Sequence, residues 1–158
     1  MTVARESQPY HPPLVPPRAP RSRLALTRDE LVAWGEAFGR AARPPLVVAL
    51  AGDLGAGKTT LAQAICRGFG VADEVTSPTY ALVHEYHAPR GTVYHLDLYR
   101  LEHEAELTNL GWDDIVAADA LVIVEWPERA GTRLPPGHVP IDLEHLVDDG
   151  ARRVLLAG

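Results

Sequence analysis

The stretch Gly52-Asp53-Leu54-Gly55-Ala56-Gly57-Lys58-Thr59 fits the pattern G-x-x-x-x-G-K-[ST] in full. It follows an apolar run and precedes a helical one, the setting in which this pattern cradles phosphate. Glycines let the backbone take positive φ and bring the amides of residues 53–57 close to phosphate oxygens. The start of the following helix adds the positive end of its dipole. Lys58, the only lysine of the chain, supplies a point charge to β- and γ-phosphates. The Thr59 hydroxyl suits Mg²⁺, and Thr60 can add a hydrogen bond to phosphate. The stretch thus predicts a site for ATP with Mg²⁺, contacted by Asp53, Leu54, Gly55, Ala56, Gly57, Lys58, Thr59 and Thr60.

Mg²⁺ takes oxygen ligands and usually one or two protein carboxylates or their water relays. Two acids end apolar runs and could serve: Asp97 after Val93-Tyr94-His95-Leu96, and Glu125 after Leu121-Val122-Ile123-Val124. Ligands of parallel sheets gather at the carboxyl ends of strands, so both are expected to face the phosphates. Spacing does not decide which binds metal and which orients water. Trp126 can set an aromatic ring beside the site or fill the core. Ser77-Pro78-Thr79 offers two hydroxyls able to sense a γ-phosphate, or a turn leading into a strand whose hydroxyls satisfy local backbone. His95 reads as a partly buried structural histidine that could help position Asp97. Cys66 reads as a core residue, and Asp113 and Asp114 as solvated surface.

The elements that must hold these groups follow from patterning. Thr27-Arg28-Asp29-Glu30 is a capping box, after which Leu31, Trp34, Phe38 and Ala42 share one helical face. Pro44-Pro45 ends that helix. Leu46–Leu50 reads as a strand buried on both faces, and a helix runs from Lys58 to Phe69 with Gly70 as its stop. Tyr80–Tyr86 and Thr92–Tyr99 predict an antiparallel hairpin around His87–Gly91, and Glu102–Leu110 a short helix. Ala120–Val124 is a second buried strand. Val139–Leu146 and Arg152–Leu156 flank the turn signal Asp148-Asp149-Gly150. Alternating strands and helices predict one α/β domain over residues 24–158 with antiparallel strands at its edges.

Residues 1–23, with six prolines between positions 9 and 20, read as a disordered or polyproline-like arm. The prolines argue against an amphipathic transit helix, and no apolar run suits a secretory leader or a membrane span. One cysteine fits a reducing cytosol. The net charge is −6, yet five arginines fall among the first 28 residues against Glu6. The acidic remainder argues against a direct grip on DNA or RNA.

The order of motifs resembles the TsaE (YjeE) family over residues 24–158. The matching segments are GDLGAGKTTLAQAI at 52–65, TSPTYALVHEY at 76–86, YHLDLYRL at 94–101, ELTNLGWDDI at 106–115 and VIVEWPER at 122–129. The P-loop alone is shared by many families; S-P-T, H-x-D-x-Y-R and E-W-P-E in this order are specific. The resemblance implies a P-loop NTPase-like three-layer fold with a mixed sheet and antiparallel hairpins. It implies a weak ATPase that works with TsaB and TsaD to form threonylcarbamoyladenosine beside the tRNA anticodon, without being the transferase. Contact with tRNA is then indirect. By the same resemblance Asp97 and Glu125 are the catalytic and metal-side acids, Thr79 and Trp126 approach the nucleotide, and Thr27 lies near its base or ribose. The arm at 1–23 is outside the family pattern. A small-molecule P-loop kinase is the alternative, though only Arg129 and Arg133 offer themselves for its lid. A GTPase would need N-K-x-D, which a chain with one lysine at position 58 cannot contain.

Overall fold

The computed structural model describes residues 22–53, 55–76, 82–145 and 152–157, with the side chains of residues 22, 23, 145 and 152–157 left aside. Seven strands form one sheet in the order β1-β7-β6-β2-β5-β4-β3. They are β1 (Ser22–Thr27), β2 (Leu46–Gly52), β3 (Val83–Ala88), β4 (Gly91–Asp97), β5 (Ala120–Glu125), β6 (Val139–His145) and β7 (Arg152–Ala157). Strands β6, β2, β5 and β4 run parallel. Antiparallel pairs extend the sheet at both ends, β4 with β3 at one and β6 with β7 and β7 with β1 at the other. The mixed sheet with flanking hairpins is as the sequence predicts.

Helices α1 (Arg28–Ala41) and α2 (Lys58–Phe69) cover one face. Their core joins Leu31, Trp34, Phe38, Leu61, Ile65 and Phe69 to Val48, Leu50, Leu121 and Ile123 of the sheet. The other face packs Val47, Leu96, Val122 and Val124 against α3 (Ala105–Leu110), α4 (Trp112–Ala117) and the 3-10 segment Pro127–Arg133. Every residue of β5 is buried, as a continuous apolar run in the middle of three layers requires.

Two readings of the sequence need correction. Strand β1 starts at Ser22, inside the segment assigned to the arm, and Leu26 is fully buried. Its pairing with β7 comes from the far end of the chain, which no local pattern reveals. The helix expected at Glu102–Leu110 is shorter and is followed by another. Gly111, at φ 81°, closes α3 and opens α4. Burial of Trp112, whose indole Nε1 donates to the Arg133 carbonyl at 3.0 Å, and of Ile115 secures α4 more than its own short sequence does. Residues 77–81 and 146–151, which include the turn signal at 148–150, lie outside the described residues.

The placement of α2 depends on its approach to α1. A Cβ on Gly39 would collide with the Ile65 carbonyl oxygen and stand 2.8 Å from the Phe69 nitrogen. A Cβ on Gly68 would collide with the Glu36 carbonyl oxygen, and one on Gly35 would meet Ala64 Cβ at 2.7 Å. Arg90, from the β3–β4 turn, locks the same seam. It donates to the Gly39 carbonyl at 2.9 Å and the Ala42 carbonyl at 2.5 Å, satisfying the end of α1. Its guanidinium also lies 4.6 Å from the Phe69 ring centroid. Since α2 opens at Lys58, this seam sets where the phosphate loop delivers its lysine.

Alanine at position 39 would gain about 1 kcal/mol of helix propensity, but its Cβ would strike the backbone of α2, where no flexible side chain can give way. Gly39→Ala is therefore expected to destabilise by a net ~1–3 kcal/mol. At roughly 2–4 °C per kcal/mol for a chain of this size, thermal unfolding resolves that loss. Gly137→Ala, where an added Cβ meets nothing within 4 Å, is the control. Equal melting temperatures for the two variants would contradict the seam.

A candidate phosphate site at the strand ends

The loop after β2 turns into α2 through Gly55 at φ 79° and Gly57 at φ 110°, both in the left-handed region. Gly57 is the N-cap of α2 and carries no side-chain cap. The amides of the first helical turn are therefore not capped by the N-cap residue and suit an external anion. The Ala56 amide donates to the Asp53 carbonyl at 3.0 Å, tightening the loop.

Lys58 is buried and folds back over this loop, donating to the carbonyls of Gly52 at 2.5 Å and Asp53 at 2.9 Å. Its Nζ sits 4.3 Å from the Trp126 ring centroid, a cation–π contact. Burial pulls the Lys58 pKa below the usual lysine value; Glu125, then Glu128, Asp97 and Asp53, act in the opposite direction without restoring it. A desolvated ammonium of this kind gains from a nearby polyanion.

The acids stand where strand direction puts them. Asp97 and Glu125 are register partners at the ends of adjacent parallel strands β4 and β5. The Thr59 hydroxyl donates to Glu125, with Oε1 at 3.2 Å and Oε2 at 3.5 Å. Glu125 is 2% exposed, and its Oε2 also lies 2.6 Å from His95 Nε2. Asp97 Oδ1 accepts from the Tyr99 amide at 3.0 Å. Past β5, Trp126 takes the left-handed conformation at φ 58°, which sets its ring between Lys58 and Tyr99, whose centroid is 4.9 Å away.

One cleft of about 390 Å³ unites these groups: Gly55, Gly57, Lys58, Thr59, Thr60, Asp97, Glu125 and Trp126 line it, with Arg28 and Tyr99. The sequence singled out the first eight. Asp53 and Ala56 belong to the loop's backbone, and Ala56 is buried beneath it. Leu54 and Thr79 lie outside the described residues. Thr27 performs its capping role: its hydroxyl accepts from the Glu30 amide at 3.2 Å and its amide donates to Glu30 Oε1 at 2.9 Å. Its neighbour Arg28 reaches the cleft instead and donates to Thr60 Oγ1 at 3.2 Å. Arg28 and Tyr99 went unrecognised, because an arginine at a helix start and a tyrosine after a strand carry no local signal. Of the two readings of His95, a structural histidine or a partner of Asp97, its surroundings favour the first. It is fully buried and bonded to Glu125, not Asp97, since the bond crosses diagonally between strands.

The fold and this cleft define a P-loop NTPase-like α/β domain. The model of the family described as "Threonylcarbamoyl adenosine biosynthesis protein TsaE" matches residues 26–154, and the chain belongs to that family. A Treponema pallidum protein named tRNA threonylcarbamoyladenosine biosynthesis protein TsaE is 38% identical over 134 residues, covering 85% of this chain and 98% of that one. The Haemophilus influenzae protein of the same name is 40% identical over 111 residues, 70% and 69% of the two chains. The crystal structure of Bacillus subtilis YdiB superposes with a TM-score of 0.68 at 24% identity over 87% of this chain and 84% of that one, a likeness of fold. Among the described residues no helix is long and apolar enough to cross a membrane.

Lys58→Ala removes the one ammonium of the loop. The expected result is ATP affinity about 100-fold weaker, the equivalent of ~3 kcal/mol for a lost charge-assisted contact, with circular dichroism unchanged. Calorimetry giving the parent affinity would contradict the cradle.

Proposed function

We propose that this protein is the ATP-binding, weakly hydrolysing Mg²⁺-dependent subunit that works with TsaB and TsaD in forming threonylcarbamoyladenosine next to the tRNA anticodon. The observation that carries the reading is the Thr59–Glu125 contact beside Lys58 in a cleft at the carboxyl ends of β2, β4 and β5. Membership of the TsaE family supplies the pathway. The donor set suits Mg²⁺: a hydroxyl and carboxylates, all hard oxygens. Four acids, Glu125, Glu128, Asp97 and Asp53, act on the single ammonium of Lys58, so a triphosphate entering here needs a cation with it. Thr59 and Glu125 would hold that ion, with Asp97 at the edge, and when bound it would neutralise charge on the β- and γ-phosphates.

In this reading the amides of Gly55–Thr59 and Lys58 bind the phosphates. Thr60 and Arg28 flank them, and Thr27 marks the side of the base or ribose. Asp97 orients water. Thr79 senses the γ-phosphate, and Trp126 shields Lys58 from solvent. Weak intrinsic hydrolysis follows if partners complete the site, as activating proteins do for GTPases. ATP then favours association with TsaB and TsaD, and hydrolysis resets the complex. The protein works in the cytoplasm, meets tRNA only through its partners, and binds neither DNA nor membrane.

A kinase lid has little support. Arg129 donates to the Leu101 carbonyl at 2.8 Å, and Arg133 to the Glu104 carbonyl, Thr108 and Asp113 at 3.1–3.2 Å. Both arginines are committed to structure.

Glu125→Gln and Asp97→Asn are each expected to slow ATP hydrolysis by on the order of 10²–10⁴-fold, with a much smaller loss of ATP affinity, when assayed with TsaB and TsaD. Release of phosphate at the parent rate by both variants would remove the assignment. A stable phosphorylated small molecule as product would replace it with the kinase.

A further inference from the structure

His95 is the one histidine among the described residues that is fully buried. Its Nε2 lies 2.6 Å from Glu125 Oε2, and its Nδ1 has no hydrogen-bond partner among the described residues. A carboxylate is an acceptor, so His95 Nε2 donates to Glu125. Among the described residues, Glu125 is the one hydrogen-bond partner of this imidazole.

That bond fixes the direction of the carboxylate. With Oε2 drawn to His95 on β4, Oε1 becomes the oxygen nearer the Thr59 hydroxyl, 3.2 Å against 3.5 Å. Asp97 stands beside Glu125 in register, so a carboxylate able to rotate would present its charge to a like charge. The N–H of His95 keeps one Glu125 oxygen turned into the sheet and the other toward α2. From this geometry we infer that His95 is a positioning residue, which orients Glu125 so that Oε1 faces a divalent cation held with Thr59. The inference rests on the ATP–Mg²⁺ reading of the cleft and adds to it the group that aims the acid. Partners that orient metal-ligating side chains typically contribute about 10–100-fold to metal affinity.

The test compares the parent protein with His95→Leu and His95→Gln by calorimetry with ATP, in EDTA and across a Mg²⁺ titration. For His95→Leu, ATP affinity in EDTA should match the parent, while the Mg²⁺ concentration giving half of the affinity gain rises about 10–100-fold. His95→Gln, which keeps an N–H donor, should recover part of the shift. A parent with a Mg²⁺-dependent gain and a His95→Leu variant with the same gain at the same Mg²⁺ concentration would overturn the positioning role alone. Equal losses with and without Mg²⁺ would also overturn it, marking the residue as structural. A parent without any Mg²⁺-dependent gain would overturn the ATP–Mg²⁺ reading, and this inference with it. If His95→Leu does not fold, ¹⁵N correlation spectra of the parent histidines decide: Nε2 of His95 must carry a hydrogen, and an Nε2 without one would overturn the proposal.

Discussion

A carboxylate at the end of β5, almost entirely removed from water, must be answered by hydrogen-bond donors. An unmatched buried charge costs several kcal/mol, and a charge-assisted hydrogen bond returns ~1.5–3 kcal/mol. Glu125 draws its donors from two other elements, His95 on β4 and Thr59 on α2. Those two bonds tie the central strands to the first turn of the helix that carries Lys58. They fall on the sheet face covered by α1 and α2, since His95, Ile123 and Leu50 share that face by register.

The remaining framework keeps that junction in place. The glycine seam brings α1 against α2 at backbone distance, and Arg90 closes it from the β3–β4 turn. Behind β5, Trp112 and the 3-10 segment fill the opposite layer, and the Trp112 indole is anchored on Arg133. Trp126 joins the layers to the cleft: its amide donates to the Leu50 carbonyl at 3.3 Å while its ring lies over Lys58. The cleft is thus bordered by groups from the loop after β2, from α2, from β4 and β5 and the residues just past them, and from the start of α1. Chemistry at this point needs all of them in register.

What the sequence revealed was local. The Thr27–Glu30 capping box and the span of α2 rest on short-range pattern and stand as read. The acids at the ends of β4 and β5 were legible because each closes an apolar run, although the strand reading of Thr92–Tyr99 overran the end of β4 at Asp97. The order of the motifs disclosed the family. Relations across the sheet were not legible. The pairing of β1 with β7 joins the first strand to the last, and the His95–Glu125 bond spans 30 positions. Arg28 enters the cleft only because α1 is pressed onto α2. Cys66 was placed correctly in the core, where burial pushes its thiol up to about 12; a helical apolar face suffices to predict that.

The central claim is that one cleft, built on Thr59 and Glu125 beside Lys58, takes a nucleoside triphosphate together with its divalent cation. Mn²⁺ in place of Mg²⁺ with a non-hydrolysable ATP analogue allows the ion to be located by anomalous scattering in a crystal. The account predicts Mn²⁺ bound to Thr59 Oγ1 and to the β- and γ-phosphates, with Glu125 Oε1 a direct ligand or one water away. A triphosphate lying elsewhere on the molecule, or an ion on the phosphates with Thr59 still bonded to Glu125, would contradict it.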